Sequence, residues 1–339
     1  MAIKIAINGF GRIGRAAFKA ALDNKKVTVV AINDLMNNKT LAHLLQYDTV
    51  YGKYPRKVLP VKNGITVNGV LYPVFAQRDP AKLPWKKMKV DVVLECTGVF
   101  EDEQSASGHL KAGAKQVIIS APAKDEATQN LVLGTVLTSD AVKKGKNKSV
   151  ISMASCTTNC IAPVIQVLES SFGVDKALMT TIHAYTATQN LVDGPSKDLR
   201  RARAAAQNMV PTSTGAAKAT AKVVPSLQNK FDGIAIRVPV INGSLSDITA
   251  VLKPSNVTVE QINTAFKKAA TNPLYKNVLA VSDEPLVSSD FIGNTYSTTV
   301  DLEFTRVVGG NLVKILAWYD NELGYSTRLV DLVTGLVKK

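Results

Sequence analysis

The chain has 339 residues, of which 46% are hydrophobic and 20% are charged, a composition typical of a soluble globular protein. Its apolar runs fall short of the ~18–20 residues that a membrane-spanning helix needs, and its three cysteines are too few for a disulfide framework. The formal net charge of +14 makes a polyanionic partner worth testing.

The length exceeds the usual size of a single hydrophobic core, so we predict two domains. We place the first at residues 1–154 and the second at 155–320, with a C-terminal helix over 321–339 that returns to the first domain. The N-terminus leads directly into a strand pattern and lacks the regions of a signal peptide. We therefore expect a cytoplasmic protein, in a reducing compartment that keeps thiols free.

Over the first 150 residues, short β-branched runs alternate with helical periodicity, which is the pattern of a parallel sheet covered by crossover helices. A strand at 3–7 precedes a glycine-rich turn, a helix at 12–22 and a strand at 27–32. The later elements are a helix near 41–45 and strands at 90–95, 116–120 and 149–153. This order predicts an α/β domain of the Rossmann type, with a doubly wound parallel sheet that binds a nucleotide.

The glycine-rich turn contains Gly9, Gly11 and Gly14 at the Gly-x-Gly-x-x-Gly spacing. Because the turn follows a strand and opens a helix, it predicts a dinucleotide site in which backbone amides approach a pyrophosphate. Asp34 ends the second strand, where a carboxylate binds ribose hydroxyls and repels a 2′-phosphate. This favours NAD over NADP as the cofactor.

Two later strands of the same half also end in turns, at Thr97 and Ser120. In an open α/β sheet, ligands bind at the carboxyl ends of the strands, so we place both turns along the cofactor cleft. The predicted cofactor site then draws on four strand ends of one sheet.

Most of the surplus charge lies in the first 150 residues, which carry 23 Lys and Arg against 12 Asp and Glu. The excess is mainly lysine, in clusters at 82–89 and 143–148 whose one aromatic residue is Trp85. Proteins that bind single-stranded nucleic acid interleave basic residues with aromatic rings that stack on bases. We therefore interpret the clusters as solvated surface, with weak, salt-sensitive RNA binding as the alternative.

The segment 155–162 places a cysteine where a polar turn enters a helix. The free amides and the positive dipole end of a helix N-terminus favour the thiolate, which is the nucleophilic form of cysteine. Cys156 is therefore our candidate nucleophile. Cys160 lies one turn later, next to an apolar run, and is predicted to pack in the core. A single cysteine is more often a buried hydrophobe than a catalyst, so the assignment depends on the rest of the chain.

After Cys156 the pattern changes to long alternating strands, which predicts an α+β domain with a mostly antiparallel sheet. These strands are predicted at 177–185, 233–240, 247–252, 298–304 and 312–319. Helices at 259–270 and 325–337 would cover one face of the sheet or return to the first domain. The basic segment 186–207 has no strand alternation and is predicted to be a long functional loop.

Six motifs, in order along nearly the whole chain, resemble those of glyceraldehyde-3-phosphate dehydrogenases. They are NGFGRIGR at 8–15, ECTGVF at 95–100, SCTTNC at 155–160, HAYTATQ at 183–189, STGAAKA at 213–219 and WYDNELGYS at 318–326. The resemblance implies that Cys156 attacks the aldehyde of glyceraldehyde 3-phosphate, that the thiohemiacetal gives a hydride to NAD, and that phosphate releases the thioester as 1,3-bisphosphoglycerate. His183 would keep the thiolate, stabilise the oxyanion and carry protons.

The resemblance also implies two anion sites and a homotetramer. Thr186 and Arg237 would lie near the phosphate of the substrate. The residues near the inorganic phosphate would be Ser155, Thr157, Arg201, Thr214 and Gly215. Arginine suits such sites because its planar fork of donors matches phosphate oxygens. On the cofactor side the resemblance adds Arg12 and Ile13 at the pyrophosphate, Arg78 near the adenine, Thr97 and Ser120 along the cleft, and Asn321 at the nicotinamide carboxamide. We predict no metal site.

Two alternatives remain at this point. Erythrose-4-phosphate dehydrogenase would share the cysteine, the histidine and the dinucleotide site, although the sequence Asn33-Asp34-Leu35 resembles the triose enzyme more. That reaction ends in hydrolysis of the thioester, so dependence on phosphate separates the two. The other alternative is a non-enzymatic role in binding RNA, and the complete set of catalytic residues argues against it as the sole role.

Overall fold

The computed structural model describes residues 2–145 and 147–337, which form two compact units. Unit 1 comprises Met1–Leu131, Ala141–Ala154 and Ser326–Lys339, and unit 2 comprises Val132–Asp140 and Ser155–Tyr325. Residues 338 and 339 of the predicted C-terminal helix and Lys146 of the second lysine cluster lie outside the described residues. The domain boundaries drawn from the sequence stay a prediction.

Unit 1 contains a sheet with helices between its strands. Its strands are β1 Ile3–Asn8, β2 Val27–Asn33, β3 Tyr47–Asp48, β4 Gly52–Lys53, β5 Val58–Val61, β6 Gly64–Val67, β7 Val70–Phe75, β8 Val92–Glu95, β9 Gln116–Ile119, β10 Gln129–Asn130 and β11 Val150–Ser152. Its helices are α1 Arg12–Asp23, α2 Asn38–Gln46, α3 Trp85–Met88, α4 Glu103–Ala106 and α5 Gly108–Lys111, followed by α6 Val136–Lys144, which begins in unit 2.

The main sheet of unit 1 has the strand order β10-β11-β9-β8-β1-β2-β7-β6-β5, and β3 and β4 pair with each other in a separate sheet. All pairs from β10 to β7 are parallel, and β6 and β5 extend the sheet in antiparallel fashion. Strand β8 is buried along its whole length, as expected for an apolar strand with neighbours on both sides. This confirms the predicted doubly wound sheet. The strands β5 to β7 were not predicted from the sequence.

The register of the central strands brings three polar residues to the same edge of this sheet. Asn8 at the end of β1 pairs with Asn33 at the end of β2 and with Glu95 at the end of β8. The glycine-rich turn, Asp34 and Thr97 follow these three residues along the chain. The carboxyl edge of the sheet therefore gathers the turns predicted for the cofactor.

Unit 2 contains a second sheet and its covering helices. Its strands are β12 Val174–Ala184, β13 Val210–Ser213, β14 Phe231–Val238, β15 Ser244–Leu252, β16 Leu279–Ser282, β17 Thr298–Val308 and β18 Leu312–Tyr319. Its helices are α7 Cys156–Phe172, α8 Ala216–Val223 and α9 Val259–Thr271, and the last helix of the chain is α10 Leu323–Leu336. The segment 186–207 contains no helix or strand, as predicted.

The second sheet has the strand order β13-β14-β12-β15-β18-β17-β16. Four of its pairs are antiparallel, whereas β12 pairs with β14, and β16 with β17, in parallel. The prediction of a mostly antiparallel sheet is confirmed. Helix α7 contacts β12, β15, β17 and β18, so it covers the face towards which Met179, Ile248 and Ile315 point.

Each described helix is too short or too polar to cross a lipid bilayer.

Candidate active site

Cys156 is the first residue of α7, and Ser155 caps the helix. Ser155 Oγ accepts the amide hydrogen of Thr158 at 3.0 Å, which satisfies one of the free N–H groups at the helix start. The residue before the cap, Ala154, has φ of +56°, a left-handed conformation that is strained for a residue with a side chain. The chain therefore turns sharply before the helix and places Cys156 at its positive end.

His183 on β12 lies opposite Arg237 on β14, in register. His183 Nε2 is 3.4 Å from Cys156 Sγ. On the other side of the ring, Nδ1 is 2.7 Å from the backbone oxygen of Ala184 and 2.6 Å from Arg237 Nη1. A thiol, an imidazole and a guanidinium thus form a continuous row, although 27 and 54 residues separate their positions in the chain.

The surroundings of His183 favour its neutral form. Burial and the nearby Arg237 cation lower the pKa of His183 from 6.5 to about 3. The ring is therefore uncharged at neutral pH, and its Nε2 can accept a proton from the thiol when Nδ1 carries the ring hydrogen. This is the state required of a general base.

Burial raises the pKa of all three cysteines, but the opposing groups differ. For Cys156 the rise is opposed by the Arg237 cation and by N–H groups at the start of α7. Burial raises the pKa of Cys96 and Cys160 to about 12. From the sequence we expected Cys156 to be a thiolate before substrate binds. The structure instead favours a Cys156 thiol next to a neutral His183, and the thiolate then forms when the thiol proton moves to the imidazole.

Tyr319 packs against His183 in the row of Cys156, His183 and Arg237, and it was not among the site residues predicted from the sequence. Its buried hydroxyl lies 3.0 Å from Thr157 Oγ1 and 2.8 Å from Thr181 Oγ1. Its ring meets the ring of His183 edge to face, with 5.9 Å between centroids. Tyr319 therefore links the start of α7 to β12 and limits the movement of His183. The alternation of β18 would have identified it as a buried tyrosine in need of a partner.

The residues predicted for the two phosphates all lie in unit 2. Arg201 Nε donates to Thr212 Oγ1 at 3.0 Å. Its charge also acts on Arg237, because burial and the Arg201 cation lower the pKa of that guanidinium. Two cations that repel each other in this way gain from an anion between or beside them. Thr186 Oγ1 pairs with Thr188 Oγ1 at 2.9 Å, Thr214 Oγ1 accepts the amide hydrogen of Ala216 at 3.2 Å, and Gly215 caps α8.

The glycine-rich turn has the shape required for a dinucleotide. Gly9 has φ of +89°, and a Cβ there would lie 2.7 Å from the backbone of Cys96. A Cβ at Gly14 would lie 2.0 Å from the carbonyl oxygen of Gly9, so the helix can approach the turn only without a side chain. Gly11 caps α1 and has no side chain to occupy the first amides of the helix. A helix N-terminus approached this closely by a side-chain-free turn can bind a pyrophosphate, so the turn fits NAD.

The other predicted cofactor residues of unit 1 lie in α1 or follow strands of the sheet. Asp34 Oδ2 accepts the amide hydrogen of Phe10 at 2.7 Å, which holds the carboxylate beside the glycines. Arg12 Nη1 donates to Asp48 Oδ2 at 2.8 Å, so the side chain of Arg12 is directed towards Asp48 and its contribution to the pyrophosphate site would come from the backbone. The carbonyl of Ile13 accepts the hydroxyl hydrogen of Ser326. Arg78 and Thr97 are exposed and follow β7 and β8, and Ser120 follows β9.

Asn321 belongs to unit 2, unlike the other predicted cofactor residues. It is buried, and its Oδ1 accepts the hydroxyl hydrogen of Ser244 at 2.7 Å. This bond fixes the orientation of the amide, whose nitrogen can then donate to a carboxamide oxygen. Among the described residues, no group of three or more His, Cys, Asp or Glu side chains is placed to hold a metal ion.

Family models match both halves of the chain. Residues 3–103 match the NAD binding domain of glyceraldehyde 3-phosphate dehydrogenase, and residues 155–321 match its C-terminal domain. The chain belongs to the glyceraldehyde-3-phosphate dehydrogenase family.

Relatives within this family are similar over their whole length. Glyceraldehyde-3-phosphate dehydrogenase 1 of Bacillus cereus is 54% identical over 336 residues, which is 99% of each chain. Glyceraldehyde-3-phosphate dehydrogenase 1 of Bacillus subtilis (strain 168) is 52% identical, and glyceraldehyde-3-phosphate dehydrogenase of Geobacillus stearothermophilus is 51% identical, each over 339 residues, 100% of this chain and 99% of the relative. The resemblance inferred from the six motifs is confirmed, and with it the dehydrogenase class and the NAD cofactor.

Membership of the family does not by itself assign a role to each residue of the glyceraldehyde-3-phosphate dehydrogenase site. The structure places Cys156, His183 and Arg237 in direct contact along one row. It places the glycine-rich turn and Asp34 together in unit 1. The roles of all the predicted site residues, Cys156, His183 and Arg237 included, stay predictions.

Proposed function

We propose that this protein oxidises glyceraldehyde 3-phosphate to 1,3-bisphosphoglycerate with NAD and inorganic phosphate. The observation that carries the proposal is the 3.4 Å contact between Cys156 Sγ and His183 Nε2 at the N-terminus of α7. This contact joins a nucleophile to a base that is neutral at physiological pH, in a chain whose first half matches an NAD binding domain.

The first step is attack of the Cys156 sulfur on the aldehyde carbon. As the C–S bond forms, the thiol proton moves to His183 Nε2, and the imidazolium and the amides at the start of α7 stabilise the oxygen of the thiohemiacetal. The charged ring then faces Arg237 Nη1 at 2.6 Å from Nδ1, which is unfavourable unless a negative group accompanies Arg237. The phosphate of the substrate is that group, so substrate binding and proton transfer favour each other.

The second step removes a hydride from the thiohemiacetal carbon and leaves a thioester on Cys156. NAD accepts that hydride when bound. Before this step the imidazolium of His183 passes its proton to the oxygen of the thiohemiacetal, and the neutral ring takes that hydroxyl proton back as the carbonyl forms. Inorganic phosphate then attacks the thioester carbonyl, the C–S bond breaks, and Cys156 regains its proton from His183. Arg201, with Thr157 and Thr214, would hold the attacking phosphate.

Exposed apolar side chains on the sheet of unit 2 support assembly into a homotetramer. Leu178, Ile234 and Phe304 lie on strands of this sheet and are each at least half exposed. Large apolar side chains that a sheet exposes to solvent are typical of surfaces buried between subunits. We further propose a cytoplasmic location, since the reaction needs a free thiol.

The proposal is tested by a steady-state assay of NADH formation with glyceraldehyde 3-phosphate, with and without inorganic phosphate, and with NAD and NADP in parallel. Strong dependence on phosphate and preference for NAD are expected. Turnover that is independent of phosphate, or faster with erythrose 4-phosphate, would instead indicate the hydrolytic sister reaction. The relatives described above are all named for the triose phosphate, which favours the first outcome.

A further inference from the structure

Unit 1 buries an ionisable pair that the proposed reaction does not use. Glu95 is 1% exposed and His109 is 0% exposed. Glu95 Oε2 lies 2.9 Å from His109 Nε2 and 2.5 Å from Asn8 Nδ2. Burying a carboxylate is costly unless its oxygens are satisfied by donors, so a pair in this position needs an explanation.

The direction of each hydrogen bond in this network is fixed by Trp85. Its indole N–H can only donate, and it lies 2.9 Å from His109 Nδ1, so Nδ1 must accept. The ring hydrogen of His109 is therefore on Nε2, where it donates to Glu95. Glu95 in turn acts only as an acceptor, which is the behaviour of an ionised carboxylate.

The second oxygen of Glu95 accepts hydrogen bonds from the turn after β8. Oε1 accepts the amide hydrogen of Thr97 at 2.8 Å and the hydroxyl hydrogen of the same residue. This turn touches the glycine-rich turn, because a Cβ at Gly9 would lie 2.7 Å from the backbone nitrogen of Thr97. Glu95 thus fixes the backbone against which Gly9 packs.

The network also reaches the end of β2. Asn33 Nδ2 donates to Asn8 Oδ1 at 2.7 Å, and Asp34, which follows Asn33, accepts from the amide of Phe10. One chain of hydrogen bonds therefore runs from Trp85 to Asn33, next to three of the four strand ends predicted to meet the cofactor: the glycine-rich turn, Asp34 and the Thr97 turn. An apolar core would fill this space at lower cost, whereas donors and acceptors fix the direction of each turn.

We propose that Glu95, oriented by His109, is a positioning residue of the NAD site: its carboxylate holds the Thr97 turn against the glycine-rich turn and thereby sets cofactor affinity. The inference rests on the proposed function for the identity of the cofactor. Neither residue touches the reacting atoms, so the effect falls on binding of NAD and spares the chemistry at Cys156.

Glu95→Gln tests the proposal with little change of shape. The new amide nitrogen would face the donors of Asn8 and His109, or, if it turned over, the donors of Thr97. We expect the Kd for NAD, measured by isothermal titration calorimetry, to rise about tenfold or more, as for loss of a charged hydrogen bond. At saturating NAD, kcat should stay within about twofold of the wild-type value. Glu103→Gln, a matched change at an exposed carboxylate of unit 1, should alter neither.

A pair of variants at His109 separates positioning from packing. His109→Gln keeps a donor for Glu95 and should retain NAD affinity within about twofold, whereas His109→Leu leaves the carboxylate without that donor and should weaken it about tenfold. A packing role predicts the reverse order, since leucine suits a buried apolar site better. This comparison remains decisive if Glu95→Gln fails to fold.

Unchanged NAD affinity in Glu95→Gln, or loss of kcat with affinity intact, would overturn the inference. A wild-type protein that binds NAD but does not oxidise glyceraldehyde 3-phosphate would instead overturn the proposed function alone, because the calorimetry needs no turnover. A wild-type protein that fails to bind NAD would overturn both.

Discussion

The two fully buried histidines of this protein differ in how their ring nitrogens are satisfied. At His109 in unit 1, Trp85 donates to Nδ1 and Glu95 accepts from Nε2, so a single placement of the ring hydrogen satisfies both contacts. Asn8 Nδ2, which lies 3.3 Å from Nε2, donates to Glu95. His183 in unit 2 has at Nδ1 both the carbonyl of Ala184 and the guanidinium of Arg237. The first needs a hydrogen on Nδ1, and the second needs a lone pair there.

This difference distinguishes the structural role of His109 from the role of His183 in proton transfer. The hydrogen of His109 cannot move without breaking a buried bond to Trp85 or to Glu95. Arg237 Nη1 can also donate to the carbonyl of Ala184, at 3.0 Å, so the hydrogen of His183 has two possible placements. An anion bound to Arg237 favours the placement on Nδ1. The following predictions test that contrast, beginning with the nucleophile on which the role of His183 depends.

The largest loss of kcat is expected from substitution of Cys156, the thiol that contacts His183. Cys156→Ser should reduce kcat at least about 10⁴-fold, because a serine hydroxyl next to this base forms no comparable nucleophile. Binding of NAD should remain measurable by calorimetry. Cys160→Ser is the matched control, one turn along the same helix, and should keep most activity because Cys160 contacts Thr298 and not His183. Equal losses in two folded variants would refute Cys156 as the nucleophile.

Replacing each histidine by glutamine should separate their roles. His183→Gln removes the proton acceptor and should lower kcat about 10²- to 10⁴-fold, the usual contribution of general acid–base catalysis. His109→Gln should leave kcat at saturating NAD close to the wild-type value. The measurement is kcat for both variants across pH 6–9. A loss of kcat at His109 as large as that at His183 would contradict the contrast between the two rings.

A third test removes the cation that competes at Nδ1 of His183. Arg237→Leu should lower kcat/KM for glyceraldehyde 3-phosphate about 10²- to 10³-fold, as expected for two charged hydrogen bonds to a phosphate. For unphosphorylated glyceraldehyde the change should be only a fewfold, because that substrate has no phosphate to lose. Arg203→Leu, at an exposed arginine paired with Asp193, serves as the control. Equal losses on both aldehydes would show that Arg237 does not select the phosphate.

The part of the fold that could be predicted from sequence is the part with local signals. The glycine-rich turn, Asp34 and the helix start at Cys156 each combine a short spacing with a change of periodicity. Strands β5 and β7 escaped prediction because they carry Pro60 and Pro73 and are exposed or half-buried over most of their length. Strand β6 is buried, but it has only four residues and begins with a glycine.

The side-chain contacts of the site depend on register, which the sequence does not contain. His183 meets Arg237 because β12 and β14 pair in parallel at one register, and a shift of one residue would turn either side chain to the other face. The resemblance to the dehydrogenase family identified His183 and Arg237 as site residues, but it did not predict that they contact each other. The pair of Glu95 and His109 requires β8, α5 and α3 to be in place at once, so neither spacing nor composition could indicate it.

The smallest effect concerns stability at low pH and follows from the pKa of His183. The pKa falls from 6.5 to about 3 on folding, so between these values the unfolded chain binds a proton that the folded chain does not. The free energy of unfolding should therefore decrease as pH falls through this window, by up to about 1.4 kcal/mol per pH unit from this group. His183→Gln removes that term, so its unfolding free energy, from urea titrations at pH 4.5–7.5, should depend less steeply on pH than that of the wild type. Identical slopes for His183→Gln and the wild type would mean that folding does not depress the pKa of His183, and the ring would then resemble a solvent-exposed imidazole more than the buried base that the row of Cys156, His183 and Arg237 requires.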